Sequence, residues 1–281
     1  MVSTSTLDPK ALFVQRRKEF KSNPEAASDL EAYTRHDNAH NYTVIKGLIP
    51  PPLVGKKCPG GTSVWHKSDT FFTDFKINHP AQVLSESEES LVIGNTASHD
   101  MRQYLAKWDP DGKDKTPSAG MSYVHLLVIP KSRIYNIVAM DDTAIIDEML
   151  AHFERFWKSP ESIDKTTVWL QTAVENRATA ARKSLESRFP DHLDDFDKTT
   201  NDVRQSAEQF HQSLCRAHSQ PVDKLFGFYF HPAPDASIAH LHMHVVLKAK
   251  EFREFSTYAH DWKSIPVHDV TEVIIGDLRR S

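Results

Sequence analysis

Apolar positions along this chain alternate between two spacings, one near the helical period and one near the strand period. After Asp8-Pro9, the positions Leu12, Phe13, Arg16, Arg17 and Phe20 suit a surface helix with proline just inside its start. Asn23-Pro24 breaks it, and a second short helix follows through Ala32. Residues 36–63 read as irregular: Pro50-Pro51-Pro52 forces extension and Pro59-Gly60-Gly61 is turn chemistry. Alternation returns at Phe71, Thr73, Phe75 and Ile77 and predicts a strand. Ser90-Leu91-Val92-Ile93 is another short strand. Gly112 to Gly120 is a polar loop, and Tyr123 to Ile129 is a buried strand closed by Pro130.

Helical spacing then takes over. Ile145, Ile146, Met149, Leu150, Phe153, Phe156 and Trp157 form one stripe, with Asp141 or Asp142 as cap and Pro160 as stop. A second helix spans Ile163 to Phe189, with Val168, Leu170, Val174, Ala178, Ala181 and Leu185 as its apolar positions. A third covers Val203 to Ala217, and the acidic run Asp191, Asp194, Asp195 and Asp197 before it reads as a solvated loop or helix end. Leu225 to Phe230 is a strand, and His231 to Asp235 a turn. The segment from His240 to Leu247 returns antiparallel to that strand. The tail carries a short helical stretch around Val270 to Ile274.

With 281 residues the chain is long enough to bury a core without disulfides. Its net charge of -4, with both signs interspersed, argues against gripping long nucleic acid, which needs a strongly basic face. A small phosphorylated ligand remains compatible, because a local pocket can be positive on a near-neutral protein. Cys58 and Cys215 form no pair motif, so a reducing compartment, cytoplasmic or nuclear, is expected. No run approaches the ~18 apolar residues of a membrane span, and the first residues lack a signal-peptide core.

The chemistry concentrates in His240-Leu241-His242-Met243-His244. On a strand, all three imidazoles leave one face, neighbours roughly 7 Å apart, while Leu241, Met243 and Val245 enter a core. Three groups that titrate near neutral pH on one face can act as a nucleophile with its supports, or as metal ligands. A lone histidine such as His125, opening an apolar strand, can equally be a satisfied core residue. The aromatics Trp65, Phe71, Phe72 and Phe75 can flank a base or simply pack.

The alternating triad followed by Val245-Val246 resembles the signature of the histidine-triad (HIT) superfamily of nucleotidyl hydrolases and transferases. Tyr123-Val124-His125-Leu126-Leu127-Val128-Ile129-Pro130-Lys131 resembles that family's earlier strand, and the two segments occur in the family's order. The resemblance covers roughly 71–158 and 221–250. It implies an α+β fold, HIT-like, with a mainly antiparallel sheet of about five strands and packed helices. Residues 1–65 would be an N-terminal extension wrapping the core. Residues 66–281 would be the HIT-like domain, with a helical insertion at about 160–217. The resemblance further implies that His242 attacks phosphorus, that His240 and His244 orient it, and that His125 supports the base of the site. Ser237 would face the phosphate, and His231 and Lys131 are further candidates for substrate contact, although His231 can also cap its turn and Lys131 can be a solvated residue after a strand.

The family's Asn-x-Gly loop is replaced by Phe230-His231-Pro232-Ala233-Pro234, which is more similar to the scavenger mRNA decapping enzymes. Where small members carry a histidine after Pro-Lys, this chain has Arg133. The expected substrate is a small nucleotide or cap-like phosphate. No cofactor and no metal are required by that chemistry. A homodimer is the common assembly of the family. The alternatives are a HIT-fold protein repurposed for non-nucleotide chemistry such as a biosynthetic lyase step, a nucleotide binder without turnover, and a metal-dependent enzyme with the triad as ligands.

Overall fold

A computed structural model describes residues 8–35, 71–95, 100–103, 108, 125–236, 238–250, 253 and 261–280. Helices α1 (Pro9–Ser22) and α2 (Pro24–Thr34) open the chain. Each starts on a proline behind a polar cap: Asp8 accepts from the Ala11 amide, and Asn23 from Glu25. Such caps satisfy amides that the first turn leaves without helical partners. A short helix α3 (Phe75–Asn78), strands β1 (Val83–Glu86), β2 (Ser90–Gly94) and β3 (His125–Pro130) follow. Helices α4 (Ala144–Lys158), α5 (Ser162–Arg188), α6 (Leu193–Ala217) and α7 (Val222–Leu225) lead to β4 (Phe226–Phe230). The chain closes with β5 (Met243–Leu247), β6 (Ile265–Pro266) and α8 (Val267–Leu278).

The class is therefore α+β. Among the described residues the strands form one antiparallel sheet of six, in the order β1-β2-β3-β5-β4-β6. The histidine-bearing strand β5 sits inside the sheet, with β3 on one side and β4 on the other. Period-2 alternation divides the sheet residues between two faces. Val92, Leu126, Val128, Met243, Val245, Leu247, Phe226 and Phe230 join the main core with α1, α4, α5, α6 and α8. Leu91, Ile93, Leu127 and Ile129 point the other way, under Phe71, Phe72, Phe75 and Ile238.

Side chains bind the helical layer to its face. Phe153 and Trp157 of α4 meet Phe226 edge-on, at 5.1 and 4.7 Å between ring centroids. Trp169 of α5 lies directly on the backbone of Gly94, where an added Cβ would sit 2.0 Å from its ring. Arg16 and Arg17 of α1 are buried. Arg16 pairs with Asp235 at 2.8 Å, and Arg17 donates to the Val138 and Met140 carbonyls.

Several expectations need correction. Residues 71–77 form turns and α3 in place of a strand, with Asp74 left-handed at φ 55° and Ile77 81 % exposed. Strands β1 and β6 were not expected, which makes six strands where about five were anticipated. Helix α6 starts ten residues before Val203, so Asp194 and Asp195 lie in its first turn behind His192 at the N-cap, and the acidic run is the helix end of the two readings. Val168 is exposed and its neighbour Trp169 is the buried residue. The helix expected around Val270 to Ile274 extends over Val267–Leu278. Trp65, Tyr123, Val124 and the turn 112–120 lie outside the described residues. No described helix is long and apolar enough to cross a membrane.

Candidate active site

The histidine segment is extended but not one continuous strand. His240 makes an isolated antiparallel bridge with Tyr135, and the Leu241 amide donates to the Ile134 carbonyl at 2.8 Å. The ladder of β5 begins only at Met243. Every residue of the segment is buried, and the expected division between faces holds: Leu241, Met243 and Val245 are all in the main core. His244 pairs in register with Leu127 on β3 and Tyr229 on β4, which puts it on the face opposite that core.

Each histidine is held differently. His240 donates from Nε2 to the Pro130 carbonyl at 2.9 Å. Its Nδ1 faces the Tyr33 hydroxyl at 3.2 Å and the Thr73 hydroxyl at 3.4 Å. His242 donates from Nδ1 to the His240 carbonyl at 2.8 Å. That bond fixes the tautomer, so in the neutral ring the lone pair resides on Nε2. His244 Nδ1 and His125 Nε2 share a hydrogen bond of 2.8 Å. The His231 ring lies over His244 with centroids 3.9 Å apart, and its Nε2 is 3.1 Å from the Ser264 hydroxyl.

The rings form a connected group. His242 and His244 are 4.8 Å apart between centroids, His125 and His244 4.9 Å, and Phe72 stands 5.0 Å from His242. Burial dominates their electrostatics. It pushes both His240 and His242 down to about 4, against the opposing pull of their backbone acceptors. Lys263 lowers His242 further, and Arg133 lowers His240. Both rings are therefore neutral at pH 7. Burial also raises the Tyr33 phenol to about 12, so it remains a hydroxyl donor.

Five of the seven residues expected from the sequence thus come together: His125, His231, His240, His242 and His244. Lys131 does not join them through its side chain. It is exposed, 2.9 Å from Glu86, and donates to the Ser87 carbonyl. Ser237 lies outside the described residues. Tyr33, Thr73, Lys263 and Ser264 were missed as neighbours of the cluster, and Arg133 was noted only as standing where small members carry a histidine. Arg133 clasps the Tyr33 carbonyl and the Thr73 hydroxyl, with its guanidinium 4.0 Å from the Tyr33 ring centroid. Asn136 was also missed: its side chain donates to the His231 carbonyl and accepts from the Ala233 amide, holding the turn that carries His231.

Among the described residues no set of three or more His, Cys, Asp or Glu side chains is arranged to hold a metal ion. The triad nitrogens are instead distributed over different partners: His240 meets a carbonyl and hydroxyls, His242 a carbonyl, and His244 another imidazole. Comparison with protein-family models, curated proteins and solved structures finds no match to this chain.

Proposed function

We propose that this protein is a nucleotide phosphoanhydride or phosphoramidate hydrolase, or a nucleotidyl transferase, that works through a covalent phosphohistidine on His242. The observation carrying this reading is the Nδ1 hydrogen bond from His242 to the His240 carbonyl. It leaves Nε2 as the nucleophilic nitrogen of a buried ring that is neutral at pH 7. The motif's resemblance to the histidine-triad superfamily supports the same assignment.

In the first step the Nε2 lone pair forms a bond to the α-phosphorus. The bond from phosphorus to the leaving oxygen or nitrogen breaks, and the leaving group departs with that electron pair. In the second step water or an acceptor hydroxyl attacks phosphorus, the P–N bond returns its pair to Nε2, and the attacking oxygen releases its proton. As charge builds on the phosphoryl oxygens, donors positioned around them matter more than acid strength. His244, packed between His125 and His231, supplies a donor whose orientation is fixed by neighbours on both sides. His240 acts through its backbone. Its carbonyl sets the His242 tautomer, while its own ring is anchored on Pro130.

A panel of dinucleotides, cap analogues and nucleoside phosphoramidates, read by chromatography, tests the reading. Wild-type protein should turn over at least one class. His242→Ala should lower kcat by several orders of magnitude with a far-ultraviolet spectrum unchanged, since removal of a nucleophile acts on the chemical step. Near-normal turnover by that variant would reject the assignment.

A further inference from the structure

The hairpin of β1 and β2 carries a second group of polar side chains gathered on a histidine, and it shares no side chain with the cluster around His242. Ser85 lies on the edge strand β1 and pairs with Val92, which enters the main core. His244 leaves the opposite face, with β2 and β3 between its strand and β1. The ladder slips by one residue between Val83 and Ser85, so Leu84 enters the core and Ser85 still turns toward α4.

His152 of α4 is 2 % exposed and is engaged at both ring nitrogens. Its Nε2 is 3.0 Å from the Ser85 hydroxyl, and its Nδ1 is 2.7 Å from the Ser90 hydroxyl. Ser90 Oγ is in turn 3.2 Å from Ser87 Oγ, and Ser87 donates to Glu148 Oε1 at 2.6 Å. That carboxylate fixes the direction of the whole chain, because it only accepts and each hydroxyl has a single proton to give. Ser87 gives its proton to Glu148, so Ser90 donates to Ser87. Ser90 Oγ then accepts from Nδ1–H, and Nε2 keeps its lone pair for the Ser85 hydroxyl. Burial holds His152 below the ordinary histidine value, so the ring is neutral at pH 7. The chain ends on a half-buried serine hydroxyl bonded to the basic nitrogen of an oriented imidazole, the arrangement that makes a serine nucleophilic.

We propose that Ser85 and His152 form a second nucleophile and base, oriented by the hydroxyl chain to Glu148, that hydrolyses carboxylic esters with a small acyl group. The inference is independent of the phosphoryl-transfer reading. Ser85 Oγ bonds to the acyl carbon while His152 Nε2 takes its proton. The bond from that carbon to the alcohol oxygen then breaks, and the alcohol leaves with the electron pair and the proton from Nε2. Water, giving a proton to Nε2, attacks the acyl-serine. The carboxylic acid departs, and Ser85 recovers its proton.

Reaction of the full chain with a fluorophosphonate, followed by digestion and mass spectrometry, tests the proposal. An adduct should form on Ser85, with an oxygen–phosphorus bond made and fluoride lost. Ser85→Ala should abolish it, and His152→Gln should slow it about 100-fold or more, the scale of general-base assistance. Ser87 touches neither reacting atom and is a positioning residue. Ser87→Ala frees the Ser90 proton for Nδ1 and so places the ring proton on Nε2, which should slow labelling about 10-fold. Ser87→Thr keeps the hydroxyl and should restore the rate. Ser85 and Ser87 are both half-buried, so their variants decide the matter if His152→Gln fails to fold. Hydrolysis of p-nitrophenyl butyrate should fall in the same order. Folded wild-type protein that gains no adduct on Ser85 would overturn the proposal, as would a folded Ser87→Ala variant that labels as fast as wild type.

Discussion

The burial of His240 and His242 makes the fold sensitive to acid in a calculable way. An unfolded chain exposes both rings, which then titrate near the ordinary histidine value of about 6.5. In the folded protein both lie at about 4. As the pH falls through 6.5 the unfolded state takes up protons first, and stability is lost progressively until about pH 4, where the folded rings also charge and the loss levels off. At pH 5 an exposed ring is almost wholly protonated and a buried one almost wholly neutral, which costs about 2 kcal/mol for each histidine and about 4 kcal/mol for the pair. Replacing both by asparagine removes the titration while keeping a short polar side chain. Urea unfolding at pH 7.5 and pH 5, followed by tryptophan fluorescence, gives the stability change for wild type and variant. The variant should lose about 4 kcal/mol less on acidification. His152, also lowered by burial, contributes equally to both proteins and cancels. Parallel losses within about 1 kcal/mol would refute the claim that these rings are desolvated and neutral.

Other perturbations probe the scaffold around the site. Arg16→Met removes the guanidinium paired with the Asp235 carboxylate, whose side chain is fully buried, and should cost about 3 kcal/mol in urea unfolding. Gly94→Ala drives a methyl into the Trp169 ring and should cost about 1–3 kcal/mol, with a changed tryptophan emission as a second signature. Tyr33→Phe removes the hydroxyl facing His240. It should lower kcat about fivefold, the scale of one neutral hydrogen bond of about 1 kcal/mol, with KM little changed.

Where the chain's local pattern dominates, the elements were legible. The cap at Asp8-Pro9, the stripe from Ile146 to Trp157 and the apolar run from His125 to Pro130 all produce the elements their spacing implies. The alternation of His240, His242 and His244 was legible too, because Leu241, Met243 and Val245 need a core. Phe71 to Ile77 misled because two periods overlap there. Phe71, Phe72 and Phe75 cluster as a turn and helix allow, whereas reading Phe71, Thr73, Phe75 and Ile77 as a strand ignores Phe72. The left-handed Asp74 breaks extension at the middle of that run. Val168 and Trp169 differ by one position, and the space over Gly94 decides which is buried, a fact of tertiary packing.

The rest of the site was hidden by sequence distance. Tyr33 stands 207 residues before His240, and Ser264 stands 33 after His231. Neither carries a local signal beyond its residue type. Arg16 and Arg17 read only as positions of a surface helix, where arginine is usually exposed. Their burial follows from partners that only folding brings near: Asp235 for one, and two carbonyls with Asp277 for the other.

The most direct measurement is capture of the intermediate. Protein mixed with an adenylate or guanylate donor, quenched rapidly in base and digested, should yield an acid-labile nucleotidyl adduct on the peptide containing His242, with fragmentation assigning it to that ring. An adduct on His240 or His244, or turnover with no adduct on any of the three, would contradict the assignment of His242 Nε2 as the nucleophile.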